Sequence, residues 1–229
     1  MAVLNRKVAI IPSPQRNGLF RRAPFCWMFD NIQLAGQYDG KDHMRKSRQE
    51  AAETRERIVT AAAREFNEGG IESTGLADIM TAAGLTHGGF YKHFSSKDRL
   101  VAEAVERALE KSLLSMEGPK GGRSLEGIAA DYLSKDHRDD FDSACPLSSL
   151  GTELRFADNG TRQVASEGIE RFISVIEARF PGLPPKEAKA KAHAMVSAMV
   201  GAMMLSRIVT DPKLSDRLLR DTKDFVLKG

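Results

Sequence analysis

Five polar side chains lie close together in one short stretch of the sequence: His87, Tyr91, Lys92, His93 and Lys97. Lysine ammonium groups attract anions, and tyrosine and histidine side chains donate hydrogen bonds. Together these groups supply the chemistry that contacts phosphates and the edges of bases. The stretch is therefore a candidate nucleic-acid-binding surface, provided that the elements around it turn these side chains outward.

Two short helices joined by a tight turn are predicted around this stretch. Residues 76–83 have apolar residues at helical spacing, and Gly84 ends that helix because glycine turns left-handed without steric cost. Leu85 fills the turn, and the Thr86 hydroxyl is expected to cap a second, very short helix that ends near Phe94. This arrangement is a helix-turn-helix, whose second helix enters the major groove of DNA.

Helices are also predicted on both sides of the motif. Upstream, Ile58, Ala62 and Phe66 form one apolar stripe four residues apart, and the glycines at 69–70 end that helix. Downstream, a serine cap opens a long helix over about 96–115. The motif is thus expected to lie within a small, self-contained group of helices.

At this point the segment resembles the DNA-binding domain of the tetracycline-repressor (TetR) family of bacterial regulators, over about fifty residues. The matching residues are Thr54, Arg55, Ile58, Ala61, Ala62, Phe66, Gly70, Thr74, Asp78, Ile79, Ala83, Gly84, Leu85, Gly89, Phe90, Tyr91, His93, Phe94 and Lys97. Gly75 departs from the family, which has Thr or Ser where the second helix begins. This departure is expected to cost some stability at the helix start.

The resemblance implies that Tyr91 and Lys97 bind phosphate and that His93 contacts the DNA backbone or a base. The recognition helix carries no Arg, Asn or Gln for bidentate pairing with a base, so base selection is weakly encoded. With the basic residues ahead of the first helix, the set expected at DNA is Arg45, Lys46, Arg48, Thr74, Thr86, His87, Gly88, Tyr91, Lys92, His93 and Lys97.

Composition limits the classes of protein to which this chain can belong. The 229 residues are 41% hydrophobic, enough for a real core, and the longest apolar stretch, 194–205, is far below the ~20 residues that span a bilayer. Only Cys26 and Cys145 are present, which fits a reducing cytoplasm without a disulfide framework. Residues 1–43 carry the whole net charge of +3, so DNA binding is inferred from the motif and not from bulk charge.

The sequence predicts an all-α protein in three parts. Residues 1–43, with several prolines and no periodicity, are expected to be disordered or translated from a start codon placed too far upstream; the alternative is an extra DNA-contacting arm. A DNA-binding domain is predicted at 44–98 and a helical ligand-binding and dimerisation domain at 99–229. Helices are expected in the latter over 124–137, 146–157, 161–179, 185–209 and 212–227.

The resemblance implies that two of these helices, 161–179 and 185–209, form a four-helix bundle with the same two helices of a second copy of the chain. The second is apolar nearly all round, which predicts burial on more than one side. The alternative is an ordinary core within one chain. The residues expected at the dimer interface are Val164, Gly168, Ile176, Val196, Val200 and Met203.

The run from Cys145 to Leu154 is similar to one found at the ligand-cavity wall in a subset of TetR-type regulators. A cysteine at a helix start can have a lowered pKa, so a thiol sensor is possible beside a simple packing role. Methionines suit either an adaptable pocket wall or gap filling. The residues expected at the pocket are Cys145, Leu147, Glu153, Phe172, His193, Met195 and Met199.

No enzyme motif is found: there is no Walker loop, no Gly-x-Ser-x-Gly and no Cys-x-x-Cys. His87 and His93 are not spaced to share a metal on one helix face. We therefore expect no catalysis, no cofactor, no metal and no membrane partner. The expected function is a homodimeric regulator, a repressor released from a pseudo-palindromic operator by a small-molecule inducer. The alternatives are an electrophile-sensing regulator switched at Cys145 and a ligand-independent architectural DNA-binding protein.

Overall fold

The computed structural model describes residues 40–118 and 122–228, with side chains from Ser47 onward. The predictions for residues 1–39 and for the side chains of Arg45 and Lys46 lie outside the described residues. The described part of the chain contains helices and no strands, which confirms the all-α prediction. The elements are α1 (Gly40–Gly69), α2 (Leu76–Ala82), a 3₁₀ helix (His87–Lys92), α3 (Lys97–Glu117), α4 (Leu125–Tyr132), α5 (Lys135–Asp139), α6 (Pro146–Ser149), α7 (Gly151–Leu154), α8 (Asn159–Glu177), α9 (Pro185–Ile208) and α10 (Pro212–Lys228).

Helix α1 starts earlier than the sequence suggested. It begins at Gly40, so the segment 44–48, expected as a basic arm, is part of the helix. The predicted stripe of Ile58, Ala62 and Phe66 is completely buried. The helix ends at Gly69, and Gly70 then adopts a left-handed φ of 86°.

The helix-turn-helix forms as predicted, with one correction. Gly84 has a left-handed φ of 69°, and the Leu85 amide donates to the Met80 carbonyl at 2.8 Å. The second helix is a 3₁₀ helix, with i to i+3 bonds such as the 3.0 Å bond from the Gly89 amide to the Thr86 carbonyl. Its adjacent glycines lower α-helix propensity. Thr86 is its N-cap, but the Thr86 side chain makes no capping hydrogen bond, so that prediction was wrong.

Side chains cap the neighbouring helices. The Ser96 hydroxyl accepts from the Arg99 amide at 3.1 Å at the start of α3, which confirms the predicted serine cap. At the start of α2, the Asp78 carboxylate accepts from the Gly75 amide at 3.2 Å. This bond supplies half of a capping box. It compensates in part for the missing side chain at Gly75.

Two of the helices predicted in the C-terminal part are each broken in two. The segment 124–137 divides into α4 and α5 at Leu133, and the segment 146–157 divides into α6 and α7 at Leu150. Both leucines are buried in the hydrophobic core, and their amides still donate to the Ala129 and Pro146 carbonyls at 3.0 and 2.8 Å. Helix α8 begins at Asn159, two residues before the predicted start, because the Asp158 carboxylate caps it.

Helix α8 lies at the centre of the C-terminal part, packed against α3 and α9, and α10 covers α9 and α4. Gly168 allows the closest approach: a Cβ atom there would lie 2.6 Å from Leu109 Cδ1 of α3. None of the described helices is both long enough and apolar enough to cross a lipid bilayer. Residues 41–229 pack as one compact unit, so the N-terminal helices and the C-terminal helices have a defined relation.

Candidate functional site

The 3₁₀ helix presents one polar surface to solvent. Phe90 and Phe94 are buried on the opposite side, and their stacked ring centroids lie 5.6 Å apart. Tyr91 turns the other way and leaves 70% of its surface exposed. His93 is half-buried. The predicted DNA-facing residues that lie exposed around Tyr91 are Thr86, His87, Gly88 and Lys92. The structure therefore brings together most of the side chains that the sequence placed on this surface.

An ion pair between α1 and α3 holds this surface in place. Two Arg55 nitrogens donate to the two carboxylate oxygens of Glu103, one at 2.6 Å, and the Arg55 guanidinium lies 4.3 Å from the centroid of the Phe94 ring. The Arg55 hydrogen bond holds the pKa of Glu103 below its ordinary value. Sequence reasoning gave Arg55 no role. Its partner is 48 residues away, and local spacing does not reveal such a pairing.

Two residues expected at DNA have other partners. Thr74 is buried, and its hydroxyl donates to the Gly70 carbonyl at 2.6 Å, so it stabilises the loop after α1 and is removed from the candidate interface. The Lys97 ammonium donates to the Ile71 carbonyl at 2.6 Å in the same loop. Lys97 therefore fixes that loop to α3. An ammonium group has three protons, so this bond leaves it able to donate to a phosphate as well.

The loop after α1 is also bound from the C-terminal helices. The Glu153 carboxylate of α7 accepts from the amides of Ile71 at 2.8 Å and Glu72 at 3.0 Å. Nearby, the buried Asn67 side chain donates to the Ala144 carbonyl at 3.1 Å. Sequence analysis placed Glu153 in the ligand pocket and overlooked Asn67. The structure instead puts Glu153 at the junction between the two parts of the molecule.

The other predicted pocket residues do not surround one cavity. Phe172, Met195 and Met199 are buried in the hydrophobic core, whereas His193 is exposed on α9. Leu147 lines an open groove described below. Cys145 is completely buried, and burial raises the pKa of its thiol, opposite to the shift expected at a helix start. Helix α6, which follows Cys145, has only four residues, so desolvation outweighs the helix dipole.

A partly enclosed cavity of about 190 Å³ lies between α3, α4 and α5. Its wall includes Ser112, Met116, Ile128, Tyr132 and His137. The Tyr132 and His137 rings lie 4.8 Å apart between centroids. The Tyr132 hydroxyl and His137 Nε2 are both buried, and neither has a hydrogen-bonding partner. Because neither atom is accessible to water, neither faces the cavity, and sequence analysis did not identify this site.

A half-buried arginine lies beside these two rings. Arg207, near the end of α9, donates through Nε to the Arg138 carbonyl at 3.0 Å, through Nη2 to the His137 carbonyl at 3.0 Å and through Nη1 to the Ser148 hydroxyl at 3.2 Å. Burial, and then the Arg207 charge, lower the pKa of His137 to about 4. Burial raises the pKa of Tyr132 well above its ordinary value, and the neighbouring Cys145 adds to this shift. Both side chains are therefore uncharged at neutral pH. Among the described residues, no three His, Cys, Asp or Glu side chains are grouped as metal ligands.

The residues predicted at a dimer interface divide into two groups. Gly168, Ile176 and Met203 are buried within the chain, so the intrachain alternative describes them better. Val196 is buried as well, but together with the half-buried Val200 it lines an open groove of about 470 Å³ between α8, α9 and the α6–α7 segment. Val164 is half-buried on α8. Further large apolar side chains lie exposed on α8, α9 and α10: Ile169, Leu205, Ile208, Leu214 and Phe225.

Comparisons with known proteins agree with this architecture. Residues 58–104 match the bacterial regulatory proteins of the tetR family, and residues 123–217 match the C-terminal domain of LmrA/YxaF-like transcriptional regulators. The chain is 30% identical over 162 residues to the HTH-type transcriptional regulator LmrA of Bacillus subtilis, covering 67% of this chain and 86% of LmrA.

Two further comparisons cover longer segments. An uncharacterized HTH-type transcriptional regulator of Mycobacterium tuberculosis is 26% identical over 182 residues, with 76% of this chain and 94% of the relative covered. The crystal structure of a TetR transcriptional regulator from Chloroflexus aurantiacus superposes with a TM-score of 0.63 at 24% identity, over 79% of this chain and 97% of that one. The structural likeness supports the fold, and the sequence relatives support a role in transcription.

Proposed function

Because the chain belongs to the TetR family of bacterial transcriptional regulators, we propose that it binds a pseudo-palindromic operator as a homodimer and leaves it when a small molecule binds its C-terminal domain. Family members are typically repressors, and release by an inducer is characteristic of the family. The observation that carries the proposal is the exposed polar surface of the 3₁₀ helix, backed by two buried phenylalanines.

The proposed DNA contacts are a subset of those that the sequence suggested. Tyr91 and Lys92 lie exposed, as phosphate contacts must, and Thr86 and His87 lie at the N-terminal end of the 3₁₀ helix, which enters the groove first. A Cβ atom at Gly88 would meet nothing within 4 Å in this chain, so its surroundings are open to DNA. Arg48 lies exposed on α1.

The proposed dimer uses the outer face of α8 and α9. Apolar side chains such as Ile169 and Leu205 remain exposed there, and Gly201 leaves open space beside them. A second copy of the chain would remove these side chains from water. The proposed division into a DNA-binding part at 44–98 and a C-terminal part at 99–229 falls in the first turn of α3. Helix α3 therefore runs through both parts.

The alternatives receive no support. Cys145 is buried and its thiol pKa is raised, both of which disfavour the thiolate that an electrophile sensor requires. An architectural DNA-binding protein that lacks a ligand site would not need the partly enclosed cavity beside Tyr132.

Operator binding is tested by selecting bound fragments from the genome that encodes the protein and measuring their affinity by fluorescence anisotropy. We expect half-sites about one helical turn apart, or a multiple of that distance. Lys92→Ala should weaken binding and reduce the salt slope by about one phosphate contact. Lys189→Ala, which removes an exposed lysine of α9, is the matched control. Equal affinity and slope for both variants would contradict the proposed orientation of the 3₁₀ helix.

Dimerisation is tested by sedimentation at micromolar concentration. Ile169→Asp places a charge on the outer face of α8 and should yield monomers that lose operator affinity. Leu114→Asp changes a leucine that is 68% exposed on α3 and should remain dimeric. If Ile169→Asp also stays dimeric, the interface lies elsewhere.

A further inference from the structure

We propose that the groove between α8, α9 and the α6–α7 segment binds a straight-chain monocarboxylate of about ten carbons. The observation behind this proposal is a groove with an apolar floor and a basic rim. Leu147, Leu154 and Val196 are buried at the floor, whereas Arg155 and Arg162 lie exposed at the rim. Only the role of the carboxylate as the effector rests on the proposed function. Its binding can be measured without DNA.

The floor of the groove supplies apolar surface for a hydrocarbon chain. Leu147, Leu154, Ala165 and Val196 line it, and each keeps less than a tenth of its surface exposed. A chain laid on this floor is removed from water together with the floor itself. The groove has a volume of about 470 Å³, about three times that of a 150 Å³ cavity that binds benzene. It therefore has room for well over six carbon atoms.

The charge at the rim selects an anion. The Arg155 guanidinium lies 4.6 Å from the centroid of the Phe156 ring, and neither Arg155 nor Arg162 pairs with a carboxylate among the described residues. None of the described residues that line the groove is acidic. A ligand carboxylate can accept hydrogen bonds from guanidinium groups in a planar, bidentate geometry. The rim therefore favours a carboxylate over a cationic head group.

The spacing along α8 sets the length of the ligand. Arg162 and Ile169 both line the groove and are seven residues, or about 10.5 Å, apart along the helix axis. An extended chain advances about 3.5 Å for every three bonds, so roughly ten carbons cover this distance. The proposed dimer also buries Ile169. A second copy would therefore contact the apolar end of the ligand, with the carboxylate at the basic end.

The segment that lines the groove also holds the N-terminal helices. The Ser149 hydroxyl donates to the Asn67 side-chain oxygen at 2.6 Å, and the Glu153 carboxylate accepts from two amides in the loop after α1. Leu154 and Arg155, which line the groove, directly follow Glu153. A ligand bound to Arg155 therefore acts two residues away from a contact that fixes the DNA-binding part, as an effector has to do.

The test uses isothermal titration of the full-length protein with three probes. Decanoate should bind with a dissociation constant between about 10 µM and 500 µM. Butyrate keeps the charge but lacks most of the chain, and it should bind more than about tenfold more weakly. Decylammonium keeps the chain but reverses the charge, and it should also bind at least about tenfold more weakly.

Charge-neutral variants assign the head group. Arg155→Gln and Arg162→Gln should each weaken decanoate about threefold to fivefold, since both arginines are exposed, and the double variant should weaken it about tenfold. Neither change should weaken decylammonium. The matched control is Arg217→Gln, because Arg217 is an exposed arginine of the neighbouring groove between α9 and α10. This control should leave decanoate affinity unchanged.

A pair of glycine variants locates the chain. Gly151 lines the groove, and a Cβ atom there would meet nothing within 4 Å. Gly151→Ala should therefore keep decanoate binding, whereas the larger side chain of Gly151→Leu occupies the groove and should weaken decanoate more than about tenfold. Circular dichroism confirms that both variants are folded.

Several results would overturn the proposal: no binding of decanoate at about 2 mM, decylammonium binding as tightly as decanoate, or unchanged decanoate affinity in the double arginine variant or in Gly151→Leu. A double arginine variant that sediments as a monomer would also overturn it, because the arginines would then contact a second copy of the chain. The titrations contain no DNA, so they leave operator binding untested. Conversely, a protein that binds decanoate as expected but binds no genomic fragment would overturn the proposed function and not the groove assignment.

Discussion

The N-terminal helices and the C-terminal helices differ in the exposure and the pairing of their polar side chains. In the N-terminal part, Arg55 and Glu103 pair with each other near the surface, and Tyr91 and His87 remain exposed. In the C-terminal part, a cluster surrounds the half-buried Arg207, and its neighbours Tyr132 and His137 keep buried polar atoms without a hydrogen-bonding partner. The first arrangement presents a fixed surface to a large partner. The second fixes polar groups inside the helical packing, where water does not reach them.

One loop connects the two regions. Ile71, the second residue after α1, donates its amide to Glu153 of α7 and accepts from the Lys97 ammonium of α3 through its carbonyl. These two bonds connect α7 and α3 through the loop.

The largest effect is expected from Arg207→Met, which keeps the apolar stem and removes the three donated hydrogen bonds. The carbonyls of His137 and Arg138 lose their Arg207 partners, so the free energy of unfolding should fall by about 2–4 kcal/mol. Urea unfolding at a fixed protomer concentration measures the change, since the proposed dimerisation would make stability depend on concentration. Arg217→Met is the control: Arg217 is exposed, lies 3.9 Å from Asp211 and should contribute less than about 0.5 kcal/mol. Similar losses in both variants would show that Arg207 is not a structural centre.

The second effect is a difference in pH dependence between the regions. Histidine ordinarily titrates at 6.5, but the pKa of folded His137 is about 4. Between these values the unfolded chain binds the proton and the folded chain does not, so stability falls as the pH falls from 6.5 to 4. The loss should be about 2–3 kcal/mol and should disappear in His137→Gln.

Glu103 behaves differently because its pKa is below the ordinary value of 4.5. Its contribution is complete above pH 4.5 and is lost only as the pH falls through the lowered pKa. Glu103→Gln should therefore keep the wild-type slope between pH 6.5 and 4.5. Urea titrations at several pH values distinguish the two variants, and a flattened slope in Glu103→Gln would reverse the assignment.

The smallest effect is expected at the loop contact. Glu153→Gln keeps the shape of the side chain but removes the charge that strengthens its bonds to the amides of Ile71 and Glu72. Hydrogen exchange of these two amides should accelerate about fivefold, while the Leu100 amide in α3 should be unchanged. Glu187→Gln, on α9, serves as the control variant. Unchanged exchange at Ile71 would mean that the carboxylate does not hold the loop.

The helix-turn-helix was predictable because its determinants are local. Gly84 selects the left-handed turn, Phe90 and Phe94 lie four residues apart on the buried side, and Ser96 caps the next helix. Each of these effects acts within a few residues. The failures in this region, Thr74 and the Thr86 cap, depend on which side chains approach from elsewhere.

The expected ligand pocket was not predictable in the same way. Sequence analysis selected Cys145 and the methionines of α9, which the structure places in the hydrophobic core. Tyr132 and Arg207, which interact electrostatically, lie 75 residues apart in the sequence. The helix breaks at Leu133 and Leu150 set the direction of the segments that surround Tyr132. An apolar residue can fill a core or line a pocket, and sequence periodicity does not distinguish these two positions.

The sequence by itself determined the all-α class, the helix-turn-helix and the outward position of Tyr91, because helix periodicity, glycine conformation and capping act over short distances. Only the tertiary structure decided that Glu153 binds the loop after α1 and that Tyr132 and His137 share a cavity. Both depend on contacts between distant segments. Those contacts exist only once the helices have packed, since burial removes the water that would otherwise satisfy the polar groups.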